Sequence, residues 1–151
     1  MPNYYAHTAT GRPPSEWHPL IEHLRGVARG SSSAAECFES HGWAGLAGLW
    51  HDLGKYSKEF QNYLHTSADA DSHVSEVSAR VDHSTAGAQH AVPTFDLLGH
   101  LRAYPISGHH TGLLDGRALR PNAASLEKRL SKSVPDWIGA PRLLLDHERP
   151  L

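Results

Sequence analysis

The chain of 151 residues has a single cysteine, Cys37. An internal disulfide and a cysteine-based zinc finger are therefore excluded, and the thiol-poor composition suits a reducing cytosol. Large core formers are few, with 3 Phe and 1 Met, although 39% of the residues are apolar. No apolar run approaches the roughly 20 residues needed to span a bilayer. The opening MPNYYAHTATGRPP lacks the apolar stretch of a secretory signal. Excess charge is missing too, since 16 acids stand against 14 Lys and Arg, a formal net charge of −2. No global positive field is available for a polyanion, so a nucleic-acid partner would need a local site. Length and composition fit one soluble domain over 1–151 with a modest core.

Histidine is what the chain does have. There are 13, almost as many as the 14 Lys and Arg together, and no run of them. Imidazole is the commonest protein metal ligand and titrates nearest neutrality. Spacing decides between a compositional bias and a metal site.

No stretch alternates β-branched and polar residues, so the fold class expected is all-α. Residues 1–14 read as an irregular lead-in. Ser15 reads as the N-cap of a helix carrying Leu20, Leu24 and Val27, with Ile21 and Ala28 widening its stripe. Gly30 and Ser31–Ser33 read as its end. A second helix is expected over 34–53, closed by Gly54. A short amphipathic helix from Tyr56 to Leu64 follows, then a polar loop over 65–81. Residues 83–91 suit a helix stopped near Pro93, and Phe95–Tyr104 another broken by Pro105. The Gly-flanked 106–116 reads as a turn. Asn122 is placed to cap a helix over 123–132. The four Trp read as core and core edge, and His18, His41, His65, His73, His90, His100 and His147 as surface or structural.

Four segments carry the candidate chemistry. His51 and Asp52 close the second helix, so both can reach a centre over its end. His23 lies on the Leu20/Val27 stripe and faces inward. His83 opens a small-residue helix, and His109-His110 sits between Gly108 and Gly112, where two imidazoles have little packing rationale. The set His23, His51, Asp52, His83, His109 and His110 offers five imidazoles and one carboxylate. Thiol-free N/O ligation suits Mn, Fe, Co, Ni or Zn. A carboxylate has two oxygens and can bridge two cations, which an imidazole cannot. The reaction class this implies is metal-assisted phosphoester hydrolysis. Lys55, three residues after Asp52, would put an ammonium at the same centre and could hold a substrate phosphate oxygen.

HDLGK at 51–55 resembles the HD superfamily of metal-dependent phosphohydrolases. WHPLIEHLRGVA (17–28), WHDLGKYSKEFQNYL (50–64), DHSTAGAQHA (82–91) and ISGHHTGL (106–113) together resemble the HD nuclease of type I CRISPR–Cas systems, over about residues 4–115. The resemblance implies an HD helical bundle that cuts single-stranded DNA exposed by an RNA-guided surveillance complex, alongside a helicase. It implies two divalent ions, from Mn, Fe, Co, Ni or Mg. His23, His51 and Asp52 would hold one; Asp52, His83, His109 and His110 would hold the other. Asp52 would bridge and orient the attacking hydroxide, and Lys55 would sit at the substrate phosphate. His7, in YYAHT, falls where the family often has a polar residue near the site. Two departures stand out. Gly26 replaces an Asp usual in the family, and the late Asp ligand of longer members has no matching stretch, Asp146 being the only late acid in an apolar run. The chain reads as C-terminally shortened relative to the family. Two other functions fit part of the pattern. A phosphohydrolase of small nucleotides would share His23, His51 and Asp52 without needing His109-His110. A docking domain could bind metal and have little chemistry.

Overall fold

The computed structural model describes residues 3–69, 81–120 and 123–145, and most of these are helical. The elements are β1 (Tyr5–His7), β2 (His18–Pro19), α1 (Leu20–Ala34), α2 (His41–Trp50), α3 (Lys58–Asp69), α4 (Ser84–Gly108), α5 (Leu126–Leu130) and α6 (Arg142–Leu145). No described helix is long and apolar enough to cross a membrane.

The lead-in is not wholly irregular. β1 and β2 pair antiparallel, with His7 opposite His18 and a bulge between Tyr5 and His7. Two- and three-residue strands are too short to leave a period in the sequence. Their position is set by tertiary bonds such as Leu20 N to Tyr4 O, 2.8 Å. Ser15 caps nothing; it sits in a 3-10 turn at Pro14–Glu16, and α1 begins after Pro19. Pro19 ends the strand and is compatible with the helix that follows, because proline lacks an N–H that a helix start leaves unpaired anyway.

α1 also runs through the serines expected to end it, as far as Ala34. The reason is packing. α2 lies antiparallel against α1, and a Cβ added at Gly48 would stand 2.9 Å from Ser31 Oγ and 3.0 Å from the Val27 carbonyl. Small residues on both helices let the backbones approach, which offsets the poor helix propensity of Gly and Ser. The expected helix over 34–53 is shorter. A 3-10 turn at Glu36–Phe38 and Glu39 at φ 55° precede α2, and Gly54 lies inside a 3-10 turn at Leu53–Tyr56. α3 continues to Asp69, so 65–69 is helical rather than loop; 70–80, with His73, lie outside the described residues.

α4 is two limbs. Its chain reverses at Asp96 (φ 50°, ψ −122°). Any side chain at Gly99 would overlap the Ala91 carbonyl, so the second limb folds back on the first. Pro93 and Pro105 lie within the limbs; the break is at neither. Asn122 lies outside the described residues, and α5 is capped instead by Ser125, whose Oγ accepts from Lys128 N at 3.3 Å.

Leu20, Leu24, Trp50, Leu53, Ala103 and Ile106 form the centre of the core, each at most 1% exposed. Each large apolar side chain buried here contributes about 1.5–3 kcal/mol. Trp50 Nε1 donates to the Leu144 carbonyl at 2.8 Å, tying α6 to α2. Trp17 is buried also, in a second cluster with Tyr5, Phe60 and Leu64, while Trp43 and Trp137 are half-buried. His90 is structural, edge-on to Trp50 and Trp137. Arg102 is 2% exposed, with its guanidinium 4.1 Å over the Phe95 ring, an arrangement favoured by cation–π attraction.

Candidate metal centre

Three helices, one of them at both its ends, converge on Asp52, which is 2% exposed. α1 supplies His23. The end of α2 supplies His51, then Asp52. The start of α4 carries His83, and its end carries His109 and His110. Two glycines set this approach. Gly54 N donates to the His83 carbonyl at 3.1 Å, and a side chain at Gly54 would overlap that backbone. A side chain at Gly87 would overlap the Trp50 carbonyl. After the paired histidines the backbone turns through Gly112 at φ +84°, and Thr111 N and Gly112 N both donate to Gly108 O. That left-handed φ favours glycine.

The Asp52 oxygens divide the histidines. Oδ2 lies 3.1 Å from His23 Nε2, 3.1 Å from His51 Nε2 and 2.9 Å from Lys55 Nζ. Oδ1 lies 3.5 Å from His83 Nε2 and 3.4 Å from His109 Nε2, yet it has no hydrogen-bond partner. His83 Nε2 in turn lies 2.8 Å from His110 Nε2. The expected ligands therefore fall into two groups with ligand atoms within 4.8 Å of one another. One is His23, His51 and Asp52; the other is Asp52, His83, His109 and His110. Asp52 belongs to both.

The ring tautomers test whether cations fit. Nδ1 of His51, His83 and His109 faces the carbonyl of Gly48 (2.7 Å), Val81 (3.1 Å) and Ile106 (2.7 Å) respectively. A carbonyl only accepts, so each Nδ1 carries the proton and each neutral ring turns an Nε2 lone pair inward. These lone pairs meet one another and an acceptor-only carboxylate. His23 Nε2 is 3.2 Å from His51 Nε2 as well as close to Asp52, and a single proton there cannot serve both. A buried cluster of acceptors short of donors is costly. Cations resolve it, and carbonyl-fixed imidazoles are the usual outer support of metal ligands. The residues present fit divalent metal.

Electrostatics agree. Burial alone would raise the Asp52 carboxyl, but the closeness of His109, His23 and His51 outweighs it and holds it well below the usual carboxylate range. Burial lowers His83 and His110, keeping these rings neutral and available as ligands. His109 goes the other way. Burial opposes its charge, but Asp52 and the Ile106 carbonyl raise it.

Lys55 brings its ammonium to the same centre, as its three-residue offset from Asp52 leads one to expect. Its side chain is 5% exposed, and Nζ is committed to Asp52 Oδ2 and to the Ala6 carbonyl at 3.2 Å. Both partners, Ala6 and Asp52, are buried. Its geometry is that of a positioning residue. Gln61, which spacing did not single out, completes this floor. Its Nε2 donates to the Lys55 carbonyl (2.7 Å) and the Tyr5 carbonyl (3.0 Å), and its Oε1 accepts from Tyr5 N. Asp146, weighed as a late metal ligand, lies outside the described residues, as does His147.

A second carboxylate, that of Asp82 next to His83 in the chain, anchors the start of α4. Asp82 accepts from Thr85 N (3.1 Å) and Thr85 Oγ1 (2.9 Å) at the start of α4, and from Arg129 (3.1 Å) and Lys132 (2.7 Å) after it. Burial raises its carboxyl, but Lys132 and Thr85 outweigh this and bring it from 3.8 down to about 2. A depressed folded-state value stabilises the fold above the unfolded value and is lost as pH falls through the folded one. Under chelation, wild-type stability should therefore drop between about pH 4 and pH 2 more steeply than that of Asp82→Asn. Denaturant unfolding at each pH measures this, and parallel curves would show that Asp82 carries no such linkage.

No protein-family model matches the chain, and no curated protein sequence is similar to it.

Proposed function

We propose that this chain is a metal-dependent phosphodiesterase of the HD helical-bundle type, cutting single-stranded DNA in CRISPR interference with a helicase and an RNA-guided surveillance complex. The observation that carries the reading is the sharing of one buried carboxylate, Asp52, between two donor groups. That is the arrangement a two-metal phosphoester centre requires. The order of motifs HDLGK, DHSTAGA and GHH adds the resemblance to the CRISPR-associated nuclease.

His23, His51 and Asp52 would hold one ion, and Asp52, His83, His109 and His110 the other. Divalent ions held there would supply an acidified water and would draw charge from phosphate oxygens. The protein's part is positioning. Carbonyls of Gly48, Val81 and Ile106 fix three rings in one tautomer. Lys55 and Gln61 hold Asp52 and the β1 backbone in register. His109 and His110 are exposed, whereas His23 and His51 are half-buried, so the solvent side is that of the paired histidines. A recessed Asp52 reached from one side suits a flexible strand better than a stiff duplex. With a net charge of −2, holding of the strand falls to the site itself.

The experiment is a cleavage assay with chelated protein. Added Mn2+, Co2+ or Ni2+ should restore cutting of a single-stranded oligonucleotide, with blunt duplex a poor substrate. Equal cutting of both would contradict the single-strand reading. Hydrolysis of a nucleoside triphosphate or dinucleotide with the oligonucleotide left intact would favour the small-nucleotide phosphohydrolase.

A further inference from the structure

A second set of imidazoles stands against the centre. The pairing of β1 with β2 sets His7 opposite His18, and their rings stack with centroids 6.2 Å apart and planes at 26°. Each also meets His23 edge-on, at 5.0 Å for His7 and 5.6 Å for His18. The three rings close a triangle, one corner of which is a member of the donor group. His7 and His18 are exposed, and no hydrogen bond ties either ring to another described residue. Neither belongs to the two donor groups.

The backbone beneath them is fixed, in contrast to the free rings. The Ala6 carbonyl takes the Lys55 ammonium, Tyr5 is held at both its N–H and its carbonyl by Gln61, and Tyr4 is bonded to the head of α1. Burial of Tyr5 and Ala6 in the core, together with these bonds, makes the ribbon a firm mount for the two solvent-facing rings. A rigid mount with unused donors, one ring removed from Asp52, is how a binding site is built. An imidazole N–H suits a non-bridging phosphate oxygen, and short-range donors matter most where no broad positive field exists.

We propose that His7 and His18 form a phosphate-binding subsite, their ring N–H groups donating to the phosphate next along the strand from the one held at the Asp52 centre. This rests on the phosphodiesterase reading. Spacing in the sequence could not show it for His18, because its neighbour His7 is reached only through strand pairing.

The test compares two substrates, an oligothymidylate and bis(p-nitrophenyl) phosphate, a single diester with no neighbouring phosphate. In His7→Ala/His18→Ala, KM for the oligonucleotide should rise about tenfold or more, as for loss of bonds to a charged group, with a much smaller change in kcat. The loss of kcat/KM should be at least about fivefold larger on the oligonucleotide than on the small diester. Bound metal per chain should equal that of wild type. His7→Gln/His18→Gln, which keeps an N–H donor, should recover part of the KM. Equal losses on both substrates, no rise in KM, or a fall in metal content would overturn the subsite. The last would show that the two rings only support His23. Wild-type protein with its metals bound that hydrolyses neither substrate would overturn the phosphodiesterase reading itself, a result distinct from the others.

Discussion

Asp52→Ala should abolish hydrolysis, lowering the rate by about a thousandfold or more, which corresponds to several kcal/mol of barrier. Asp52 is the one residue common to both donor groups. Its removal takes an oxygen from each, and it leaves the Lys55 ammonium buried with only the Ala6 carbonyl as partner. Loss of one histidine should be milder, since the other group keeps its donors. His65→Ala, an exposed ring against Trp17 and Tyr5, should retain near-wild-type turnover. Oligonucleotide cleavage at saturating metal measures all of these, and near-wild-type turnover by Asp52→Ala would remove the two-metal reading.

The second large effect is on stability. Lys55 and Asp52 form a buried pair at 2.9 Å, their side chains 5% and 3% exposed. Breaking such a pair from one side typically costs about 3–5 kcal/mol, because the remaining charge is left without its partner. Lys55→Met should therefore lower the Tm of chelated protein by about 10 °C, given roughly 2–4 °C per kcal/mol at this chain length. Divalent metal should return much of that loss, since cations at Asp52 restore the missing positive charge. Thermal unfolding with chelator and with Mn2+ separates the contributions. A Tm loss of the same size in both conditions would mean that Lys55 acts only by filling space.

The candidate site was more legible in the sequence than the fold around it. His51-Asp52 is contiguous, and His109-His110 sits between glycines, so ligand chemistry concentrates where the chain is punctuated. His23 could be placed inward by the Leu20/Val27 period alone. The direction of Lys55 could not be read, because a three-residue offset from Asp52 fits a side chain turned either to solvent or to the floor. Only the Ala6 carbonyl and the packing of Gln61 decide it. Ser31–Ser33 misled for a related reason. Serine is a poor helix former in isolation, but the cost is offset where Gly48 of a neighbouring helix needs a shallow surface. The same local logic puts helix breaks at Pro93 and Pro105, whereas the reversal lies at Asp96 and the contact of Gly99 with Ala91 that fixes it is tertiary. His18, which reads as surface or structural, is exposed; its place beside His7 and His23 follows from a strand pair too short to read.

The most direct test of the shared-carboxylate centre is titration calorimetry of Mn2+ into chelated protein, with His83→Ala in parallel. Four donors surround one position and three the other, with Asp52 counted in each. Two ions should bind per chain, one tightly and one weakly, with the tight event lost in His83→Ala and the weak one kept. A single event, two equally tight events, or a tight event that survives His83→Ala would contradict it.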